Sequence, residues 1–89
     1  MRRVTQRTKF RRDYKRQCQR GKNIEKLEAV VYMLAQGATL SEHSKPHKLS
    51  GAYAGLWECH IENDWLLIYN VTINEVTLYR TGTHADLFE

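Results

Sequence analysis

Between Thr8 and Gly21, Phe10, Tyr14 and Cys18 recur at every fourth position with Lys and Arg filling the gaps, the spacing of one apolar stripe along a basic helix. Thr8 is placed to cap this helix, and Arg3 to Thr5 make a short extended start before it. Gly21 breaks the pattern and Asn23 can cap a second helix. There Ile24, Leu27, Val31 and Leu34 form a core-facing stripe that stops at Gly37. The two helices therefore make a hairpin. From Ala38 to Tyr53 no period is sustained, and Ser, Gly, His and the single proline, Pro46, mark a long loop of the kind that is often functional.

Beyond Ala54 the period changes to two. Trp57, Cys59 and Ile61 alternate with Glu58, His60 and Glu62, which puts the first three on a covered face and the last three on an open one. After a turn at Glu62-Asn63-Asp64, Trp65 to Val71 is apolar on both faces, as in a central strand, and Val76 to Thr81 supplies another. The expected order is β-α-α-β-β-β. This is an α+β fold with an antiparallel sheet carrying the helix hairpin on one face, built as one domain over residues 1–89.

Charge changes this picture more than composition does. With 42% hydrophobic and 27% charged residues, the chain has the make-up of a small globular domain. Residues 1–26, however, hold 11 of the 14 Lys and Arg against Asp13 and Glu25, a net of +9, while residues 27–89 carry −5. A field so one-sided favours nucleic acid or an acidic protein as partner. Lys9, Arg11, Arg12, Lys15 and Arg16, on the first helix, are the candidate basic patch.

No apolar run approaches the roughly 18 residues that span a bilayer, and Met1-Arg2-Arg3 leads into polar residues, so a cytoplasmic protein without a membrane partner is expected. Cys18 and Cys59 lie 41 positions apart and suggest neither a disulfide framework nor a zinc ribbon. His43 and His47 are four apart, but Pro46 stands between them and no third ligand has suitable spacing, so neither a metal nor a cofactor is expected.

The open strand face offers chemistry. His47 lies just before the Trp57 strand, His60 on it, Asp64 in the turn after it, Arg80 near the end of the last strand and His84 in the tail. Elements of an antiparallel meander can bring these together. Three histidines, a carboxylate and an arginine suit metal-free cleavage of RNA: a base for the 2′-hydroxyl, an acid for the leaving 5′ oxygen, and a cation for the charge that builds on phosphorus. Histidine fits both proton roles because its ordinary pKa of about 6.5 is near working pH.

These residues fall in three blocks that resemble the RelE/ParE superfamily of bacterial toxins, and within it the YafQ-type branch of ribosome-dependent mRNA interferases. The blocks are 46–51 (PHKLSG), 58–69 (ECHIENDWLLIY) and 80–88 (RTGTHADLF), in the family's order and spacing. The chain departs from the family pattern at Lys48, where proline commonly follows the histidine. The resemblance implies a RelE-like fold and a type II toxin that cleaves translated mRNA in the ribosomal A site and is neutralised by a cognate antitoxin. It implies His84 as general acid, Asp64 or His60 as base or base-orienting group, and His47 and Arg80 as phosphate-stabilising groups. Trp65 pairs with Asp64 at the turn on the substrate side, whereas alternation makes Trp57 core; Phe88 packs against a nucleotide. A ParE-like gyrase inhibitor and a non-catalytic RNA-binding module are the rival readings, and neither needs three histidines and an aspartate around one face.

Overall fold

The computed structural model describes residues 1–88. Strand β1 (Arg3–Gln6) leads into helices α1 (Thr8–Gln19) and α2 (Ile24–Gln36); β2 (His47–Lys48) lies between two 3-10 turns, Glu42–Ser44 and Gly51–Tyr53; then come β3 (Trp57–Glu62), β4 (Trp65–Val71), β5 (Glu75–Gly82) and α3 (His84–Phe88). The five strands form one sheet in the order β1-β5-β4-β3-β2.

The α+β architecture is as expected, but the sheet is mixed rather than antiparallel. β1 runs parallel to β5, with Arg3 opposite Glu75 and Gln6 opposite Leu78, while the other pairs are antiparallel. A four-residue edge strand alternates identically in either direction, so its polarity is not written in its residues. The segment read as loop contains β2, whose His47 and Lys48 pair with Glu58 and Trp57. In the tail, His84–Phe88 is helical.

The boundaries of α2 follow local chemistry, whereas α1 already includes Thr8, the expected cap, and starts after Arg7 with no side-chain cap. Asn23 caps α2 by accepting the Glu25 N–H at 3.2 Å. Gly37 ends it in the left-handed region at φ 76°, with the Ala38 N–H returning to the Met33 carbonyl. In α1 the buried positions are Phe10, Asp13 and Gln17, while Cys18 is exposed, so the inward stripe turns toward polar residues that the apolar spacing does not reveal.

The main core lies between the helices and one sheet face, where Phe10, Leu27 and Leu34 meet Cys59, Trp65, Leu67, Tyr69, Val76 and Leu78. Burial pushes the Cys59 thiol up to about 12. On the other face Leu66, Ile68 and Leu87 form a smaller cluster roofed by Leu49, Tyr53, Leu56 and Tyr79. Trp65 therefore belongs to the core and not to a substrate surface. Its side chain is fully buried and its indole N–H donates to Thr81 Oγ1 at 2.9 Å. The turn before it exposes Asn63 and Asp64, and of the expected Asp64–Trp65 pair only Asp64 faces outward. Trp57, expected to be core, is half-buried next to the edge strand, with Lys48 Nζ 5.9 Å from its ring centre.

A bulge between His60 and Glu62 also shifts the alternation on β3. Glu62 comes to pair with Trp65 and reaches Lys26 at 2.8 Å and Lys22 at 3.5 Å on the helix side, so it leaves the open face. Glu58 keeps its face but is buried.

Candidate active site

Three carboxylates organise the second sheet face. Asp64, exposed in the β3–β4 turn, accepts the His84 backbone N–H at 2.9 Å and lies 2.7 Å from His84 Nδ1. These bonds, the backbone one foremost, hold its carboxyl below the usual carboxylate range. An ionised Asp64 therefore draws the proton of His84 to Nδ1 when the ring is neutral, and aims Nε2 outward. His84 stands with its ring centre 6.2 Å from that of His60 and 6.2 Å from that of Phe88. Phe88 is 46% exposed, an accessible aromatic ring beside His84.

The second carboxylate is Glu58, whose Oε1 lies 3.3 Å from His47 Nε2; His47 Nδ1 meets the Lys45 carbonyl at 3.0 Å. His47 is opposite Glu58 across the β2–β3 ladder, and Glu58 and His60 are two residues apart on one strand. His47 thus stands about 7 Å along the sheet from His60.

The third is Asp13. β1 ends at Gln6, opposite Leu78, and leaves the next stretch of β5, paired with β4 on its other side, without a strand partner along this edge. Asp13 of α1 closes this gap by accepting the Thr81 N–H at 3.2 Å, and it also accepts from Arg80 Nε at 2.6 Å and Nη2 at 3.2 Å. Arg80 Nη1 donates to the Tyr53 hydroxyl at 3.0 Å, and that hydroxyl donates to the Leu87 carbonyl at 3.2 Å. The Tyr53 ring meets Phe88 edge-on at 5.6 Å. The fold thus brings His60, Asp64, His84 and Phe88 into direct association, ties Arg80 to them through Tyr53, and sets His47 beside them through Glu58.

Sequence reasoning missed Asp13, Tyr53 and Glu58 as members of this network. Asp13 carried a signal, being the one carboxylate in the first 24 residues of a strongly basic segment. Tyr53 lies in an aperiodic stretch, and the parity of Glu58 made it look solvent-facing. In the basic patch, Lys9, Arg11, Arg12, Lys15 and Arg16 are all exposed. Arg16, however, also lies 3.5 Å from Asp86. Among the described residues no group of three or more His, Cys, Asp or Glu could hold a metal ion.

A small mixed sheet with paired histidines, an orienting carboxylate and an exposed aromatic ring, opposite a basic helix, defines a class of proteins equipped for acid–base chemistry on an anionic substrate. The family model described as bacterial toxin of type II toxin-antitoxin system, YafQ, matches residues 2–89, and the chain belongs to this family. It is 36% identical over 80 residues to the mRNA interferase toxin YafQ of Escherichia coli strain K12, covering 89% of this chain and 87% of that protein. The crystal structure of YafQ from E. coli strain BL21(DE3) superposes with a TM-score of 0.93 at 32% identity, covering 100% of both chains. A crystal structure of the E. coli DinJ-YafQ toxin-antitoxin complex matches with a TM-score of 0.90 at 34% identity, covering 99% of this chain and 98% of that one.

Proposed function

We infer that this chain is the toxin of a type II toxin–antitoxin pair and an mRNA interferase, cutting translated mRNA on the ribosome without a metal ion. The observation that carries the reading is the alignment of Asp64, His84 and His60, which supplies an oriented acid and a separate base within reach of one phosphodiester. In this scheme His60 takes the 2′-hydroxyl proton and O2′ attacks the adjacent phosphorus. The bond from phosphorus to O5′ breaks, and His84, entering the step as the imidazolium with its Nδ1–H on Asp64, gives its Nε2 proton to O5′. A 2′,3′-cyclic phosphate and a 5′-hydroxyl are left, and proton exchange with water resets the two histidines. Asp64, doubly engaged by His84, is the orienting group rather than the base.

Arg80 keeps N–H donors beyond those given to Asp13 and Tyr53, and with His47 it stabilises charge on the phosphoryl oxygens. Phe88 stacks on a neighbouring base, as exposed aromatic side chains do with single-stranded RNA. The basic face of α1 meets rRNA phosphates. The neutralising partner is a cognate antitoxin, as DinJ is for the E. coli protein. No helix among the described residues is long and apolar enough to cross a membrane, and the site of action is the cytoplasm, where mRNA is translated.

Primer extension tests the reading on one mRNA, translated with the protein present and incubated with it free of ribosomes. Cuts confined to codons of the translated sample are expected; equal cutting of free RNA, or none in either, refutes it.

A further inference from the structure

The acid His84 and the aromatic Phe88 both ride on α3, a helix of only five residues, too short to hold its place by itself. Its first turn is closed by a reciprocal cap: the Thr83 N–H donates to Asp86 Oδ2 at 3.0 Å and the Asp86 N–H to Thr83 Oγ1 at 3.1 Å. The same Asp86 carboxylate is gripped from outside. Arg20, the residue capping the C-terminus of α1, donates from Nη1 to Oδ2 at 2.6 Å and from Nη2 to Oδ1 at 3.0 Å, with Arg16 Nη1 3.5 Å from Oδ1. The seat beneath is cut to fit. A Cβ at Gly82 would lie 2.7 Å from Asp86 Oδ2 and 2.9 Å from its Cβ, so only glycine lets the carboxylate settle there.

We propose that Arg20 and Asp86 are positioning residues of the active site, a two-pronged clasp from the end of α1 that fixes α3 and so sets His84 against Asp64 and His60. Arg20 thereby belongs to the catalytic apparatus and not to the basic surface offered to phosphates. The proposal rests on the RNA-cleavage reading for its kinetic consequence, and on geometry alone for its structural one. Bidentate pairing of a planar guanidinium with a carboxylate fixes direction as well as distance, which a lone lysine cannot do.

The test uses Arg20→Ala, Arg20→Lys, Asp86→Asn and the double variant Arg20→Ala/Asp86→Asn. Single-turnover cleavage is followed on mRNA-programmed ribosomes over a range of toxin concentrations. Arg20→Ala and Asp86→Asn should each lower the rate at saturating toxin by about ten- to hundred-fold, the scale on which misplacing a reacting group acts. The half-saturating concentration should hold, and both variants should stay folded at the assay temperature, with a lowered melting temperature because the Arg20–Asp86 pair is lost. The double variant should be no slower than the worse single, and Arg20→Lys should recover part of the rate. Carboxyl NMR supplies a readout independent of cleavage: the Asp64 midpoint should climb toward its ordinary value in both single variants as His84 withdraws. Multiplying losses, a raised half-saturating concentration at full rate in Arg20→Ala, or an unmoved Asp64 midpoint would each overturn the clasp. A wild-type protein that leaves translated mRNA intact sinks the cleavage reading instead, while the Asp64 titration still decides the clasp.

Discussion

Replacing Asp13 by alanine should destabilise this domain more than almost any other single change to a charged residue. Asp13 is 3% exposed and accepts three hydrogen bonds, two from Arg80 and one from the Thr81 backbone. Alanine leaves a guanidinium whose side chain is only 17% exposed without its counter-charge, and a strand N–H without an acceptor. Breaking a buried ion pair from one side costs about 3–5 kcal/mol, because the remaining charge stays desolvated. A domain of this length has a total stability of roughly 4–13 kcal/mol, so the variant should be marginal. Asp13→Asn keeps an acceptor for Thr81 and loses only the charge, so it should fall between. The double variant Asp13→Leu/Arg80→Met should regain the part of the loss that comes from the unpaired charge, since it removes the cost of burying both charges along with their attraction, but not the part from the Thr81 N–H. Urea titration followed by tryptophan fluorescence measures this through the midpoint, provided the slope is unchanged. If Asp13→Ala cost less than about 1 kcal/mol, or the double variant were as unstable as both singles added, the pair would be an ordinary surface bridge.

His84→Ala should reduce cleavage by about 10²- to 10⁴-fold, the typical worth of a positioned acid, and leave the melting temperature and antitoxin binding intact, because His84 is exposed; loss of antitoxin binding would make α3 an interface. Trp65→Ala should cost about 3–5 kcal/mol and unfold much of the population, with Trp57→Ala markedly milder, and melts in the opposite order would contradict the assignment of the two sheet faces. Arg11, Arg12 and Lys15 reversed together to Glu should weaken ribosome binding and flatten its salt dependence, since fewer counterions are released; an unchanged salt slope would move the patch elsewhere. Asp64 and Asp86 have depressed native carboxyl pKa values, from His84 and Arg20 respectively, so their contribution is present above about pH 4 and is lost as pH falls through the native values. Asp86→Asn should therefore flatten the acid limb of a stability-against-pH curve, and a limb of unchanged slope would show that the clasp is loose in solution.

What could be read from the residues followed the strength of each local signal. The second helix was legible because Asn23, the stripe from Ile24 to Leu34 and Gly37 all agree, and β4 because an apolar run on both faces has little alternative. The parallel pairing of β1 was not, since polarity depends on where the chain returns from and not on four residues of alternation. The site histidines were legible as residue types, and His84 with Asp64 proved to be in contact. Trp65 was misplaced because it adjoins a site residue in the chain, while the strand's pleat sends the two side chains to opposite surroundings. Glu62 was misplaced by one bulge, and a bulge is a property of the pairing, invisible in a single strand. The largest omission has one physical cause. Asp13 and Tyr53, and Asp86 beyond its local cap with Thr83, act through partners 27 to 70 positions away in the chain, so no local period could show those contacts. The acid and base can be named from their chemistry, but the groups that aim them are defined by tertiary contact. Here those contacts run from α1, the most basic element, to the strand and helix that carry Arg80 and His84. The helix whose exposed side carries the basic residues thus also bonds, through Asp13, Arg16 and Arg20, the strand and helix that carry Arg80 and His84.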